Sequence, residues 1–311
     1  MNEYDVAVVG GGAAGLSAAL VLARARRRVV VVDAGEPRNA PAAHMQGYLS
    51  RDGLPPTQLL AIGRDEVAGY GGHLLPGTVS AIEALEEGGF AVTLDDGQVV
   101  AARRVLVTTG LRDELPDVPG VRERWGRDLL HCPYCHGHEV RDRPLGVLGG
   151  TPDAVQHALL LRQWSSDVVF FAHTTTLRPD EREQLLARAV GIVDGPVARL
   201  VVEDDELRGV ELADGRVVPR SAVFVRPVLV PNGDLLAGLG CATHENGWVV
   251  ADPSGRTSLP GVWVAGNAAD PRAQVITAAG QGSAAAIAIN TDLVEEDVAT
   301  AVRAFHDGLP A

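Results

Sequence analysis

The sequence predicts an α/β protein built from two Rossmann-like, three-layer domains, the second inserted into the first. Three observations carry this prediction. The buried run "YDVAVV" (4–9) is followed by "GGGAAG" and the helical pattern "LSAALVLARAR". A weaker copy of that unit, "PLGVLGG" followed by "DAVQHALLLRQW" and the strand "DVVFFA", begins at Pro144. Near the end, "GVWVAGNAAD" (261–270) and the small-residue helix "AQVITAAGQGSAAAIAIN" return the chain to the first domain. The expected boundaries are 1–112 and 241–311 for the split domain and 117–240 for the insertion.

Each element follows from its pattern. "RVVVVDAG" from Arg28 is a second buried strand, and "VLVTTG" (105–110) is a third that ends in a glycine turn. "LRDELPDVPG" (111–120), with Pro116 and Pro119, reads as a linker. "VELADGRVVPRSAVFVRP" reads as a hairpin and a strand.

Composition excludes several functions. The 311 residues are 46% hydrophobic, enough for buried cores, and the net charge is −13. A basic surface that tracks phosphates is therefore not expected, nor is a nucleic-acid partner. All 27 basic residues are arginine, most simply a high-GC codon bias. No run reaches the ~18 apolar residues of a membrane span. Glu3 and Asp5 stand where a secretory signal carries positive charge, so a cytoplasmic location is expected.

The first turn has the full set of phosphate-binding features. Gly10, Gly12 and Gly15 satisfy G-x-G-x-x-G between a strand and a helix. The first glycine permits the tight turn, the second lets backbone approach a pyrophosphate, and the third lets helix pack on strand. Helix-terminal N–H groups then face the phosphates. Asp33 ends the next strand, about 20 residues onward, where an acid bonds a ribose hydroxyl.

The stretch "HCPYCHGHE" (131–139) has three readings. Cys132, Cys135 and His136 spell C-x-x-C-H, the c-type haem attachment pattern. With His131, His136 and His138 the cysteines also offer ligands for zinc. A C-x-x-C beside a βαβ unit can equally be a redox disulfide. Haem attachment fits a cytoplasmic chain poorly. Zinc sites usually draw on two separated ligand pairs, whereas these ligands crowd into eight residues and Cys241 stands alone. The redox pair is the preferred reading, with no metal expected.

Taken together, "GGGAAG", "DAGEPRN", "CPYCHG" and "GVWVAGN…QVITAAGQG" resemble the low-molecular-weight thioredoxin reductase family of flavoproteins over nearly the whole chain. The resemblance implies that the split domain binds FAD and the inserted one NADPH. It places Gly10, Gly12, Ala13, Ala14, Gly15, Asp33 and Ala34 at the dinucleotide, with Thr109 and Gly110 at the neighbouring strand end. Gly266 and Asn267 would meet the ribityl chain, and Gln274 and Val275 the N1/O2 edge of the ring. The family usually has Asp at position 267. Cys132 would exchange with substrate and Cys135 would face the flavin. His136 replaces the usual proton-shuttling Asp; an imidazole can accept a thiol proton near neutral pH. His131 and His138 are possible helpers. A homodimer is also implied.

The second turn, "GGTPDA", departs from the pattern. Gly149 and Ala154 match its ends, but Thr151 replaces the middle glycine and Pro152 has no N–H for a phosphate. The next strand ends in Ala172, His173 and three threonines, without an arginine for a 2′-phosphate or an acid for a ribose. An arginine from elsewhere, such as Arg178, is the alternative that would keep the site working. Binding of NADPH is therefore not expected. The C-x-x-C-H variant and "RNAPAAHM" (38–45) resemble the gliotoxin- and holomycin-type dithiol oxidases of the same family, placing Arg38, Asn39 and His44 near FAD. That branch implies electron flow from a small-molecule dithiol to the disulfide, then to FAD and O2, giving H2O2. A thioredoxin reductase driven by NADPH or another reductant is the alternative, and a non-catalytic flavoprotein a third.

Overall fold

The computed structural model describes residues 4–151 and 153–307; Pro152 lies outside the described residues. Two compact units divide the chain: 1–40, 54–112 and 230–311 form the first, and 41–53 and 113–229 the second.

The first unit begins with β1 (Tyr4–Val9), α1 (Ala13–Arg24), β2 (Val29–Asp33), α2 (Pro56–Gly69) and β3 (His73–Pro76). A meander follows: β4 (Val79–Ala84), β5 (Phe90–Leu94) and β6 (Val99–Val107). β3, β2, β1 and β6 lie parallel in that order. β6 serves two sheets' worth of partners because it is long: residues 99–102 pair antiparallel with β5, while 105–107 pair in parallel with a strand from the end of the chain. Side chains of β1 alternate between two cores, as strand geometry requires. Val6 and Val8 pack with helix α1, and Ala7 and Val9 with Val92 and Val100.

The second unit follows β7 (Leu111–Glu114) and contains α3 (Val121–Arg124), β8 (Leu129–Leu130), α4 (Pro133–His136), β9 (Leu145–Leu148), α5 (Ala154–Leu161) and β10 (Val168–Phe171). It continues through α6 (Pro179–Ala187), β11 (Gly191–Val193), β12 (Val197–Glu203), β13 (Glu206–Leu212), β14 (Val217–Pro219) and β15 (Ala222–Val225). Its parallel sheet has the order β11-β10-β9-β15-β8, and β12–β14 form the separate antiparallel hairpin layer. Leu145 and Val147 face α5, and Leu148 faces the β12–β14 layer.

The chain re-enters the first unit through β16 (Val228–Pro231), α7 (Asp234–Gly238), β17 (Val262–Val264) and α8 (Val275–His306). β17 is the strand beside β6. α8 crosses α1 on small residues: Ala18, Ala19, Ala285 and Ala286 share one core with Leu22 and Ile289.

Three sequence expectations are corrected. The insertion ends near Leu229 rather than at 240, because Leu236 of α7 and Cys241 are buried among Val92, Val249 and Val262 of the first unit. Residues 41–53 group with the second unit, where Pro41 packs against Gly126. The proline-rich linker begins with an ordered strand, since β7 is hydrogen-bonded to β16 where the chain leaves and returns.

Candidate active site

In the first unit, the carboxyl ends of β1, β2, β6 and β17 meet at one edge of the sheet, the place where open α/β sheets bind ligands. Gly10 has φ +105°, a conformation side chains disfavour, and its N–H reaches the Val32 carbonyl at 2.8 Å. A Cβ on Gly15 would overlap the Gly10 carbonyl, so only glycine lets α1 sit this close to β1. The N–H of Gly11 donates to Asp33 Oδ1 at 2.9 Å, fixing the carboxylate at the strand end. Gly12, by contrast, faces open space: a Cβ there meets nothing within 4 Å. It is the N-cap of α1 and brings no side chain to the helix's first N–H groups. An open backbone, an uncapped twelve-residue helix and a fixed acid fit the pyrophosphate and ribose of FAD.

Ala13 and Ala14 open α1, and a Cβ on Gly282 of α8 would overlap the Ala14 carbonyl. Gly266 lies against Ala14 with φ +70°, and its N–H donates to Gln281 Oε1 at 3.0 Å. Asn267 Nδ2 donates to the carbonyls of Asp270 (2.9 Å) and Ala273 (3.0 Å). Both amide hydrogens are thus used, and Oδ1 is left as the acceptor for a ribityl hydroxyl. An ionised Asp here could not donate those two bonds. Gln274 occupies the N-cap position of α8 without a side-chain capping bond, and Val275 is the first residue of that helix. Thr109 Oγ1 donates to the Asn232 carbonyl at 2.8 Å, Asn232 Nδ2 returns a bond to the Thr109 carbonyl at 2.9 Å, and Asn232 N–H reaches Gly110. Ala34 and Arg38 are exposed and Asn39 half-buried in this unit, while the exposed His44 belongs to the second.

The second unit carries the disulfide. β8 delivers His131 and Cys132 to the carboxyl edge of its sheet. Cys132 is the N-cap of α4, Pro133 takes the first helical position, and Cys135 and His136 donate their N–H to the Cys132 carbonyl at 3.1 Å each. One helical turn therefore closes the Cys132–Cys135 disulfide with 5.2 Å between Cα atoms, within ordinary disulfide geometry. Gly137 is required beside it, because a Cβ would press on the Pro133 carbonyl and the Trp164 ring. Tyr134, 65% exposed between the cysteines, leans edge-on against Trp164. Burial pushes the His136 imidazolium below its usual range, against the opposing pull of Glu139 and the Cys132 main chain. The ring is therefore neutral near pH 7, and its Nδ1 is buried without a hydrogen-bond partner among the described residues. His138 is exposed.

The second glycine turn superposes on the first in its bonding. Gly149 N–H reaches the Phe171 carbonyl at 2.8 Å as Gly10 reaches Val32, and Gly150 N–H reaches Thr175 Oγ1 at 2.6 Å as Gly11 reaches Asp33. Thr151 then stands where Gly12 is open, with its hydroxyl buried and unpartnered among the described residues. Asp153 is the N-cap of α5 at φ +61°; its exposed side chain makes no cap bond, but it adds a negative charge at the helix start that disfavours a phosphate there. His173, at the end of β10, accepts the Val197 N–H on Nδ1 at 3.0 Å, and burial keeps it neutral. Arg178 is engaged by Asp180 and Glu181 at the start of α6. Among the described residues, no cluster of three metal-binding side chains occurs and no helix is long and apolar enough to cross a membrane.

Sequence reasoning missed Asn232, Gln281, Gly282 and His157. Asn232 supports Gly110 from far along the chain without a local motif, whereas Gln281 and Gly282, which support Gly266 and Ala14, lie inside "QVITAAGQG", whose pattern alone gives them no role.

The family model of the pyridine nucleotide-disulphide oxidoreductases matches residues 4–282. Thioredoxin reductase sirT of Leptosphaeria maculans is 32% identical over 317 residues, covering 95% of this chain and 96% of that protein. The crystal structure of HlmI is 61% identical with a TM-score of 0.96, covering 98% of this chain and 97% of that one. A putative thioredoxin reductase, TrxB of Bacillus anthracis, is 34% identical with a TM-score of 0.90, covering 94% and 99%.

Proposed function

We propose that this chain, which belongs to the pyridine nucleotide-disulphide oxidoreductase family, is an FAD-dependent oxidase that closes an intramolecular disulfide in a small-molecule dithiol. The observation that carries this reading is the filled second turn: Thr151 where a pyrophosphate needs open backbone, and Asp153 at the helix start. A chain with a dinucleotide loop in one unit, a disulfide in the other and a poor nicotinamide site takes its electrons from thiols. The substrate class is a natural-product dithiol, as in the dithiol oxidase branch the sequence resembles.

A substrate thiolate attacks Cys132, and the Cys132–Cys135 bond breaks. The second substrate thiol attacks the mixed disulfide, closes the product and releases Cys132. Two electrons pass to the cysteine pair and two protons leave the substrate. His136, neutral and adjacent to Cys135, takes one of them. FAD, which the Gly10–Gly15 turn and Asp33 would hold, would supply the two-electron acceptor for the reduced cysteine pair, with O2 as the proposed final acceptor and H2O2 as its product.

The functional form is read as a homodimer. Ile287, Val294, Val298 and Val302 are exposed at helical spacing on α8 and give it an apolar face. Light scattering is expected to give twice the chain mass, falling to one for Val298→Asp.

An anaerobic titration of the flavin spectrum tests the reaction. A small dithiol such as dithiothreitol is expected to bleach the flavin within seconds, and NADPH not to. Rapid bleaching by NADPH with coupled reduction of a protein thioredoxin would establish a thioredoxin reductase instead.

A further inference from the structure

α5 carries a histidine for which the reaction above has no use. His157 is 4% exposed, enclosed by the second unit's core with Ala154, Ala158 and Phe224. Neither ring nitrogen makes a hydrogen bond of ordinary geometry among the described residues, and the main chain of His131 is the polar group that pulls on the ring. Burying such a group without a good partner is costly, so a purely packing role would be served better by Phe or Leu. Its ring stands edge-on to Phe224 at 5.8 Å and edge-on to His131 at 6.4 Å between centroids. His131 directly precedes Cys132 at the end of β8. The buried imidazole therefore backs the residue that presents the exchange cysteine.

We propose that His157 is a positioning residue: it orients His131 as the base that takes the proton of the incoming substrate thiol at Cys132. This rests on the dithiol oxidase reading. Work at the disulfide is then divided between two histidines. His131 receives the first substrate proton, the thiolate attacks Cys132, and the Cys132–Cys135 bond breaks to leave Cys135 as thiolate. The second substrate thiol gives its proton to His136, closes the product disulfide and releases Cys132 as thiolate. Two electrons and two protons are thereby accounted for.

The surroundings of His157 suit a partner that never carries charge itself. The titratable and charged groups acting on it are His131 from the end of β8 and Arg226 from the end of β15. Burial first, then these two groups, push it down to about 3, against a smaller pull from the His131 main chain. A neutral ring can steer His131 without adding positive charge that would oppose its protonation.

The test is the pH dependence of anaerobic flavin reduction by dithiothreitol in single turnover, with His157→Phe, His157→Gln and His131→Gln. His157→Phe keeps the volume and removes the orphaned nitrogens, so its melting temperature is expected to be no lower than wild type. Near pH 7 it is expected to slow reduction about tenfold, part of the ~100-fold that a general base contributes. Above about pH 9, past the ordinary thiol range near 8.5, dithiothreitol ionises unaided and the deficit is expected to close to within twofold. His157→Gln, which keeps a polar partner, is expected to retain more of the rate than His157→Phe. Adding His157→Phe to His131→Gln is expected to slow it no further. A deficit of the same size at every pH, or deficits that multiply in the double variant, would overturn the inference. So would an unchanged His157→Phe rate beside a dithiol-reducible wild type, with the oxidase reading left standing. A wild-type flavin that no dithiol reduces overturns both.

Discussion

The chain makes the same strand–turn–helix twice and finishes it in two ways. In both turns the first glycine N–H returns to the neighbouring strand, and the second is held by a side chain at the end of that strand (Asp33) or just past it (Thr175). The difference lies in the third position and the helix start. The first turn leaves Gly12 bare at the start of α1; the second has a half-buried Thr151 with an enclosed hydroxyl, and an acidic residue, Asp153, at the start of α5. On the proposed reading a Rossmann turn can keep its fold without its ligand, because folding uses the first two N–H groups and binding would use the space above the third.

The strongest way to break this comparison is to move the difference across. Gly12→Thr copies Thr151 into the first turn. Gly12 has φ −78° and nothing within 4 Å, so threonine fits the backbone there, and it is a favoured N-cap. The variant is expected to fold with an unchanged or raised melting temperature and to lose FAD affinity by at least about 100-fold, roughly 2.7 kcal/mol. The ratio of flavin to protein absorbance after gel filtration measures it. A variant that retains its flavin would show that the third position does not decide binding.

Much of this difference was legible in the sequence because it lies within six consecutive residues. The two glycine turns, the C-x-x-C pair and the two-domain plan all come from local patterns, and Thr151 announces itself by being neither Gly nor Ala. The rest depends on long-range contacts. Nothing near Gly110 signals Asn232, since that bond joins residues far apart in the chain, and the motif containing Gly266 and Gln281 does not say which of its residues bond to each other. The return of the chain at Val230 was misplaced because the short, partly polar α7 shows its allegiance only through Leu236. His157 looked like one more residue of an amphipathic helix, and its significance depends on what β8 places beside it.

A smaller effect is expected within the intact site. Asn267→Asp reverses the polarity of two bonds, setting a carboxylate against the Asp270 and Ala273 carbonyls. The loss is expected to be about 1–3 kcal/mol in stability, and flavin affinity is expected to fall about tenfold. Thermal denaturation with and without added FAD separates the two. An unchanged stability would mean that the loop does not depend on these bonds.

Two half-buried, neutral histidines of the second unit, His136 and His173, sharpen the contrast between working and filled positions. Burial lowers both His136 and His173, so both lose protons below the ordinary histidine range near 6.5. A base works only in its unprotonated form, so dithiol-driven reduction is expected to decline as pH falls through the depressed value for His136. That acid limb should lie below 6.5 and disappear in His136→Gln, with the overall rate reduced about tenfold. His173 Nδ1 is occupied by the Val197 N–H, and His173→Gln is expected to leave the profile unmoved. Stopped-flow rates across pH 5–8 distinguish them.

The smallest expected effect compares the one bond the two turns share. Asp33 and Thr175 hold equivalent N–H groups, of Gly11 and Gly150. Asp33→Val removes a group that also faces the ribose site, and is expected to weaken FAD binding as well as stability. Thr175→Val removes only a turn contact, and Gly150 is exposed enough for water to take the hydroxyl's place. Its cost is expected to be about 0.5–1 kcal/mol in stability, with flavin content and dithiol-driven rate unchanged within twofold. Equal losses of flavin in the two variants would mean that the second turn still serves the cofactor, and that its departure from the glycine pattern had been misread.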